Sequence, residues 1–265
     1  MDKSYEGFLQ SSLLWTDEQF GLEQFVIRFG ELDYSRLRPI PNKLRLGHQV
    51  EHIFFELLKY SNHYKVLAHS VQLIQYKQTL GELDFIIKDL DSNQIYHIEL
   101  AYKFYLLDPN MEGPIQGLVG PNRSDAFTYK LHKTIHKQMP LLYSDAARER
   151  LKLDVDSVKQ MVAFYAQIYV PFDMQCRQIG TLNANSVKGV YMNLEQFMNQ
   201  GFESLKFHFP SKNEWIHIPY ANVKWMNYEA ALDYIIERHI SNRSPMLWVD
   251  MGNGVIDKMF ITHWS

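Results

Sequence analysis

The chain is predicted to be a mixed α/β protein, on three observations. Residues 44–60 carry apolar side chains at helical spacing, residues 81–106 read as two strands across a polar turn, and residues 246–262 read as a second hairpin across Gly252-Asn253-Gly254. Helix, strand, hairpin, helix and further strands in that order place the chain in the mixed α/β class.

Taken in order, Leu22, Phe25, Val26 and Phe29 recur at i, i+3, i+4 and i+7, which predicts a short helix within 12–29. Pro39 and Pro41 mark a loop. Leu46, Val50, Phe54, Leu57 and Leu58 form one stripe of an amphipathic helix over 44–60. A strand is expected over 66–77, strand-rich sequence over 79–107, and a Gly- and Pro-rich loop over 113–122. Phe127, Leu131, Ile135 and Met139 recur every four residues, so 125–143 is predicted to be helical, with Asn122 or Ser124 as its cap. Residues 146–156 are charged and read as a linker. Strands are expected over 161–170 and 189–193, a short helix over 194–199 and a longer one over 229–239. The organisation is then an N-terminal helical segment (1–43), an α/β core (44–170) and a C-terminal α+β extension packed on it (171–265).

Composition narrows the function classes. With 265 residues, 46% hydrophobic and 22% charged, the chain has the makings of a folded core and no low-complexity tract. The opening MDKSYEGFLQ has no basic-then-apolar signal, no apolar run is long enough for a membrane span, and the single cysteine, Cys176, excludes an internal disulfide. The expected location is cytoplasmic. A net charge of −3 argues against a protein that coats duplex nucleic acid through a basic surface.

The chemistry concentrates in GELDFIIKDLDSNQIYHIELAYKFYL, residues 81–106. A turn centred between Asp91 and Ser92 pairs Asp84 with Glu99, Glu82 with Ala101 and Ile86 with His97, with directly opposed Cβ atoms roughly 4.5–5.5 Å apart. Alternation then puts Leu83, Phe85 and Ile87 with Tyr96, Ile98, Leu100 and Tyr102 on an apolar face. Glu82, Asp84 and Lys88 share the other with His97, Glu99 and Lys103. Two carboxylates facing one another call for a cation. Either this is a solvated polar face, or Asp84 and Glu99 offer hard oxygen ligands to a divalent ion.

A carboxylate-bearing helix, then Asp on one strand and Glu followed by Lys on the next, resembles the PD-(D/E)XK nuclease superfamily. More closely, RLGHQVEHIFFELL, TLGELDFIIKD, HIELAYKFYL and GPNRSDAFTYKLHKTIHKQMPLL resemble an uncharacterised bacterial family, domain of unknown function eighteen-fifty-three, over residues 44–142. The resemblance implies a restriction-endonuclease-like core, a central mixed sheet flanked by helices. It also implies a metal site of Asp84 and Glu99, joined by Glu51 from the preceding helix, with Glu82 completing the coordination. The implied cofactor is Mg²⁺ or Mn²⁺, and the implied activity is metal-assisted hydrolysis of a nucleic-acid phosphodiester. The superfamily lysine, two residues after the second acid, is Ala101 here; Lys103 takes its role, ~13 Å along the strand from Glu99. His97, Lys130 and Gln138 are secondary candidates. The alternative is a nuclease fold without catalysis that binds a nucleic-acid end or a protein partner through the same cleft. Trp215, Trp225, Trp248 and Trp264 either stack unpaired bases or pack a second core.

Overall fold

The computed structural model describes residues 2–174 and 179–264; Cys176 lies outside them. In chain order the principal elements are α1 (Lys3–Leu9), α2 (Leu46–Tyr60), β1 (Tyr64–Gln75), β2 (Gln78–Asp89), β3 (Ile95–Leu107), α3 (Phe127–Lys133), α4 (Asp145–Leu151), β4 (Lys159–Pro171), β5 (Val187–Asn193), α5 (Leu194–Met198), β6 (Lys206–His208), α6 (Tyr228–Ile240), β7 (Met246–Gly252) and β8 (Val255–Thr262). The fold is α/β, with mixed sheet flanked by helices. The chain forms two compact units whose segments alternate along the sequence, where the sequence reading has three consecutive segments. The first is chiefly Leu13–Tyr102 and Tyr129–Tyr165; the second is Lys3–Ser12, Lys103–Thr128 and Ala166–Ser265. The long strands β3 and β4 each contribute residues to both units.

In the first unit, β1, β2 and β3 form an antiparallel meander. Next to the turn the β2–β3 hairpin keeps the expected register, with Phe85 paired to Ile98, Ile86 to His97, Ile87 to Tyr96 and Lys88 to Ile95, but the expected pairs Asp84–Glu99 and Glu82–Ala101 do not form. The turn is closed by the Asp89 carboxylate, which accepts the N–H groups of Asp91 and Ser92 at 2.9 and 3.0 Å, and by Asn93 in the left-handed region. Helix α2 buries Val50, Ile53, Phe54, Leu57 and Leu58, and the Phe54 ring sits 5.0 Å from that of Phe85. A further core joins Val71, Leu73, Leu83 and Ile86 to Leu142, Ala147, Val155 and Val158. Each buried Val, Leu, Ile or Phe side chain here is worth roughly 1.5–3 kcal/mol.

Two expectations fail in this unit. The stretch 12–29 is extended, not helical. Its backbone bonds along β4: Leu14 N–H donates to Phe164 O at 2.8 Å and Phe25 N–H to Val162 O at 2.7 Å. Asp17, Phe20 and Gly21 have positive φ, which breaks a helix, and Val26, placed on the helix stripe, is exposed. The charged linker 146–156 contains α4, whose cap Ser144 accepts the N–H of Ala147.

In the second unit the strand order is β6-β7-β8-β5-β4. The β6–β7 and β7–β8 pairs are antiparallel, and β8–β5 and β5–β4 are parallel. Gly252, Asn253 and Gly254 all have positive φ at the β7–β8 turn. Helices α5 and α6 bury Phe197, Ala231 and Ile235 against Phe207, Leu247, Val249 and Ile261 of the sheet. The tryptophans pack: Trp248 is fully buried beside His208 and Tyr220, and Trp215 sits edge-on to Phe104 and Phe260. Trp264 lies under the Arg123 guanidinium at 4.0 Å. Asn122 does not cap α3; its Oδ1 accepts the backbone N–H of Ser244 at 2.8 Å. Among the described residues no helix is long and apolar enough to cross a membrane.

Candidate metal centre

The site lies in the first unit and begins where the hairpin stops pairing. The β2–β3 register ends at Phe85–Ile98, although both strands continue past it. The Leu100 N–H is taken instead by the Asp84 carboxylate, Oδ2, at 2.8 Å. Around this fork the structure gathers Glu51 of α2 with Glu82 and Asp84 of β2. One carboxylate oxygen from each lies within 4.8 Å of the others, and all three side chains are partly buried. His48, one turn before Glu51 on α2, sets its Nδ1 3.0 Å from Glu51 Oε2.

Glu99, expected to face Asp84 as a second ligand, is not in this group of three. It is buried, and both its oxygens are engaged. Oε1 lies 3.1 Å from His97 Nε2, and Oε2 accepts the side-chain amide of Gln138. The ring proton of His97 can be assigned from the network. The Gln160 amide donates to Met139 O at 2.7 Å and to His97 Nδ1 at 2.9 Å, so Nε2 carries the proton and donates to Glu99. On the other side, Gln138 Oε1 accepts from Lys130 Nζ at 2.7 Å and from Thr134 Oγ1 at 3.1 Å. The result is a relay from Lys130 through Gln138 to Glu99, met by Gln160 and His97 from the opposite side. Gln138 ends a single π turn, Thr134–Gln138, inserted between α3 and the tight turn Met139–Tyr143. A π turn adds a residue to the helical ladder and so changes which side chain faces inward.

The face predicted to be either solvated or metal-bearing is therefore largely covered, with His97, Glu99 and Ala101 buried. Burial sets the electrostatics of Asp84, whose pKa is pushed up to about 8. Desolvation is the main cause and the nearby Glu99 charge the second; Glu51 pushes the same way, while the Leu100 N–H and the Lys130 ammonium draw it down. Three carboxylates in one small space, one of them reluctant to ionise, suit a hard divalent cation. Mg²⁺ or Mn²⁺ fits the donor set.

Lys103, the expected catalytic cation, is engaged elsewhere. Its Nζ donates to Asp125 Oδ2 at 2.6 Å within the second unit, both side chains one-third exposed. The role assigned to it is thus without geometric support, because a carboxylate already neutralises it. A cation that does act on Asp84 is Lys130. Of the sequence candidates, Glu51, Glu82 and Asp84 form one cluster, and His97, Glu99, Lys130 and Gln138 form the adjoining network. Thr134 and Gln160 were missed; a lone Thr and Gln in helix and strand carry no signal until the fold joins them.

A family model, domain of unknown function (DUF1853), matches residues 31–258. The chain belongs to that family. Neither the curated proteins nor the solved structures give a match.

Proposed function

We propose that the chain is a Mg²⁺- or Mn²⁺-dependent phosphodiester hydrolase acting on nucleic acid, a divergent relative of the PD-(D/E)XK nucleases. The observation that carries this reading is the convergence of Glu51, Glu82 and Asp84 on one point beside Lys130. A divalent cation held by these carboxylates supplies a Lewis acid for a phosphoryl oxygen and a lowered pKa for the attacking water. The protein's own groups do the rest. Glu51, Glu82 and Asp84 would hold the cation, and its positive charge would favour the ionised form of Asp84 against the desolvation that chiefly raises its pKa and against the nearby charge of Glu99. Lys130 supplies positive charge where a phosphate's negative charge builds up. Gln138 holds the Lys130 ammonium and the Glu99 carboxylate in fixed relation, and His97 and Gln160 fix the other side of Glu99.

A second reading, a non-catalytic fold that binds a nucleic-acid end or a protein partner through this cleft, has one observation in its favour: the commitment of Glu99 to hydrogen bonds. Incubation of labelled single- and double-stranded DNA and RNA with Mg²⁺ or Mn²⁺ separates the two. The hydrolase reading expects cleavage by the native chain and a loss of roughly a hundredfold or more in Asp84→Asn and Lys130→Met, the scale of a removed charge-stabilising group. Metal-independent binding without cleavage overturns it in favour of the second.

A further inference from the structure

We propose that the second unit carries a separate binding site for a phosphate monoester of mononucleotide size, held by Lys212, Arg238 and Arg243. These residues line a pocket of about 460 Å³ that also includes Trp215, Tyr234 and Ser244. That volume lies in the range of small-molecule sites, and polar groups converging on a partly apolar pocket are what such sites show. The inference is independent of the acidic cluster, which belongs to the other unit.

Among the described residues three cations share this pocket, and no carboxylate lines it. Among the described residues none of the three forms an ion pair with an acid. Glu214, two residues from Lys212, directs its carboxylate to the backbone N–H of Ser211 at 2.8 Å and so closes its own turn. Like charges converging without a counter-charge repel, and a bound anion removes that cost. The cations are also positioned. Arg238 lies over the Tyr234 ring with Cζ 4.6 Å from its centroid, and Lys212 lies 5.8 Å from that of Trp215. The wall near Arg243 is pinned by the Ser244 N–H on Asn122 and by a contact of 2.9 Å between Ser244 Oγ and His263 Nδ1.

Ordinary solvation accounts for part of this. Arg238 stands on the last turn of α6, where a cation complements the helix dipole. That explains one charge and leaves Arg243 and Lys212, which come from different segments and meet only at the pocket. Two guanidinium groups with an ammonium form the donor set that matches a dianionic phosphate. Trp215 and Tyr234 add flat apolar surface for an attached base, which favours an organic phosphate over the free anion.

The test is calorimetric titration of the full chain with adenosine 5′-monophosphate, inorganic phosphate and adenosine. EDTA is present throughout, so the carboxylate cluster cannot recruit phosphate through a metal. The monophosphate is expected to bind saturably and more tightly than phosphate, and adenosine not to bind. Arg243→Ala and Arg238→Gln are each expected to weaken it roughly ten- to a hundredfold, as for loss of a charged hydrogen bond, with unchanged melting temperatures. No saturable binding of the monophosphate, or binding equal in native and variant chains, overturns the proposal. Phosphate binding as tightly as the monophosphate overturns the role given to the aromatic wall.

Discussion

Replacing Asp84 by Asn tests the electrostatics of the acidic cluster without disturbing its shape. The Asn side chain keeps an oxygen for the Leu100 N–H and removes the ionisable group. Unfolded, Asp84 titrates near 3.8; folded, at about 8. Below pH ~4 the carboxyl is protonated in both states and contributes nothing. Between those values the folded chain holds a proton that the unfolded chain has lost, so the native chain becomes easier to unfold as pH rises. Above about 8 the full cost of a buried charge is present. At ~1.36 kcal/mol for each tenfold change in proton affinity, that cost is on the order of 5 kcal/mol, shared between Asp84 and the neighbouring Glu99. In urea unfolding with EDTA, Asp84→Asn should match the native chain near pH 4 and exceed its stability by up to that amount at pH 9. A difference independent of pH would refute the reasoning.

Three other outcomes follow from the same structure. Glu99→Gln sets an amide against two donors, His97 Nε2 and Gln138 Nε2, so chemical denaturation should show a loss of roughly 1–3 kcal/mol; in the same variant Mn²⁺ affinity should fall less than tenfold, because Glu99 is not in the carboxylate trio. Lys258 is buried, donating to Gln167 Oε1 and Trp215 O, and desolvation, with Lys188 nearby, pushes its pKa down to about 7. Between about 7 and 10.5 the unfolded chain binds the extra proton, so Lys258 adds stability as pH rises across that window, up to about 5 kcal/mol; Lys258→Met should lose that rise in denaturation measured at pH 7 and pH 10. Gly189→Ala would bring a Cβ 2.2 Å from Lys258 O and 2.8 Å from the Tyr169 ring, and its melting curve should show a loss of roughly 1–3 kcal/mol.

Local pattern was enough for the elements that are decided locally. The stripe from Leu46 to Leu58 and the Asp91-Ser92 turn determine α2 and the β2–β3 register next to that turn, and both match the structure. The stretch 12–29 was not legible because its apolar spacing fits a helix while its hydrogen-bond partners lie on β4, far along the chain. At the site, alternation put Glu82, Asp84, His97 and Glu99 on one face, and the structure joins Glu82 to Asp84 and His97 to Glu99. It did not show which acids would converge. That depends on Gln138 and Gln160, 39 residues from Glu99 and 63 from His97, which capture Glu99 and His97. It depends also on the end of the ladder at Phe85–Ile98, where Asp84 turns to the Leu100 amide. A π turn that aims Gln138 inward has no sequence signature in a run spaced every four residues.

The most direct measurement is Mn²⁺ binding to the native chain and to Glu51→Gln, Glu82→Gln and Asp84→Asn, followed by calorimetry at pH 7 and pH 9. Saturable binding by the native chain, tighter at pH 9 as Asp84 loses its proton, and weakened at least tenfold in each variant, is the expected result. Absence of binding, or binding that survives all three substitutions, would contradict a cation site built on these carboxylates.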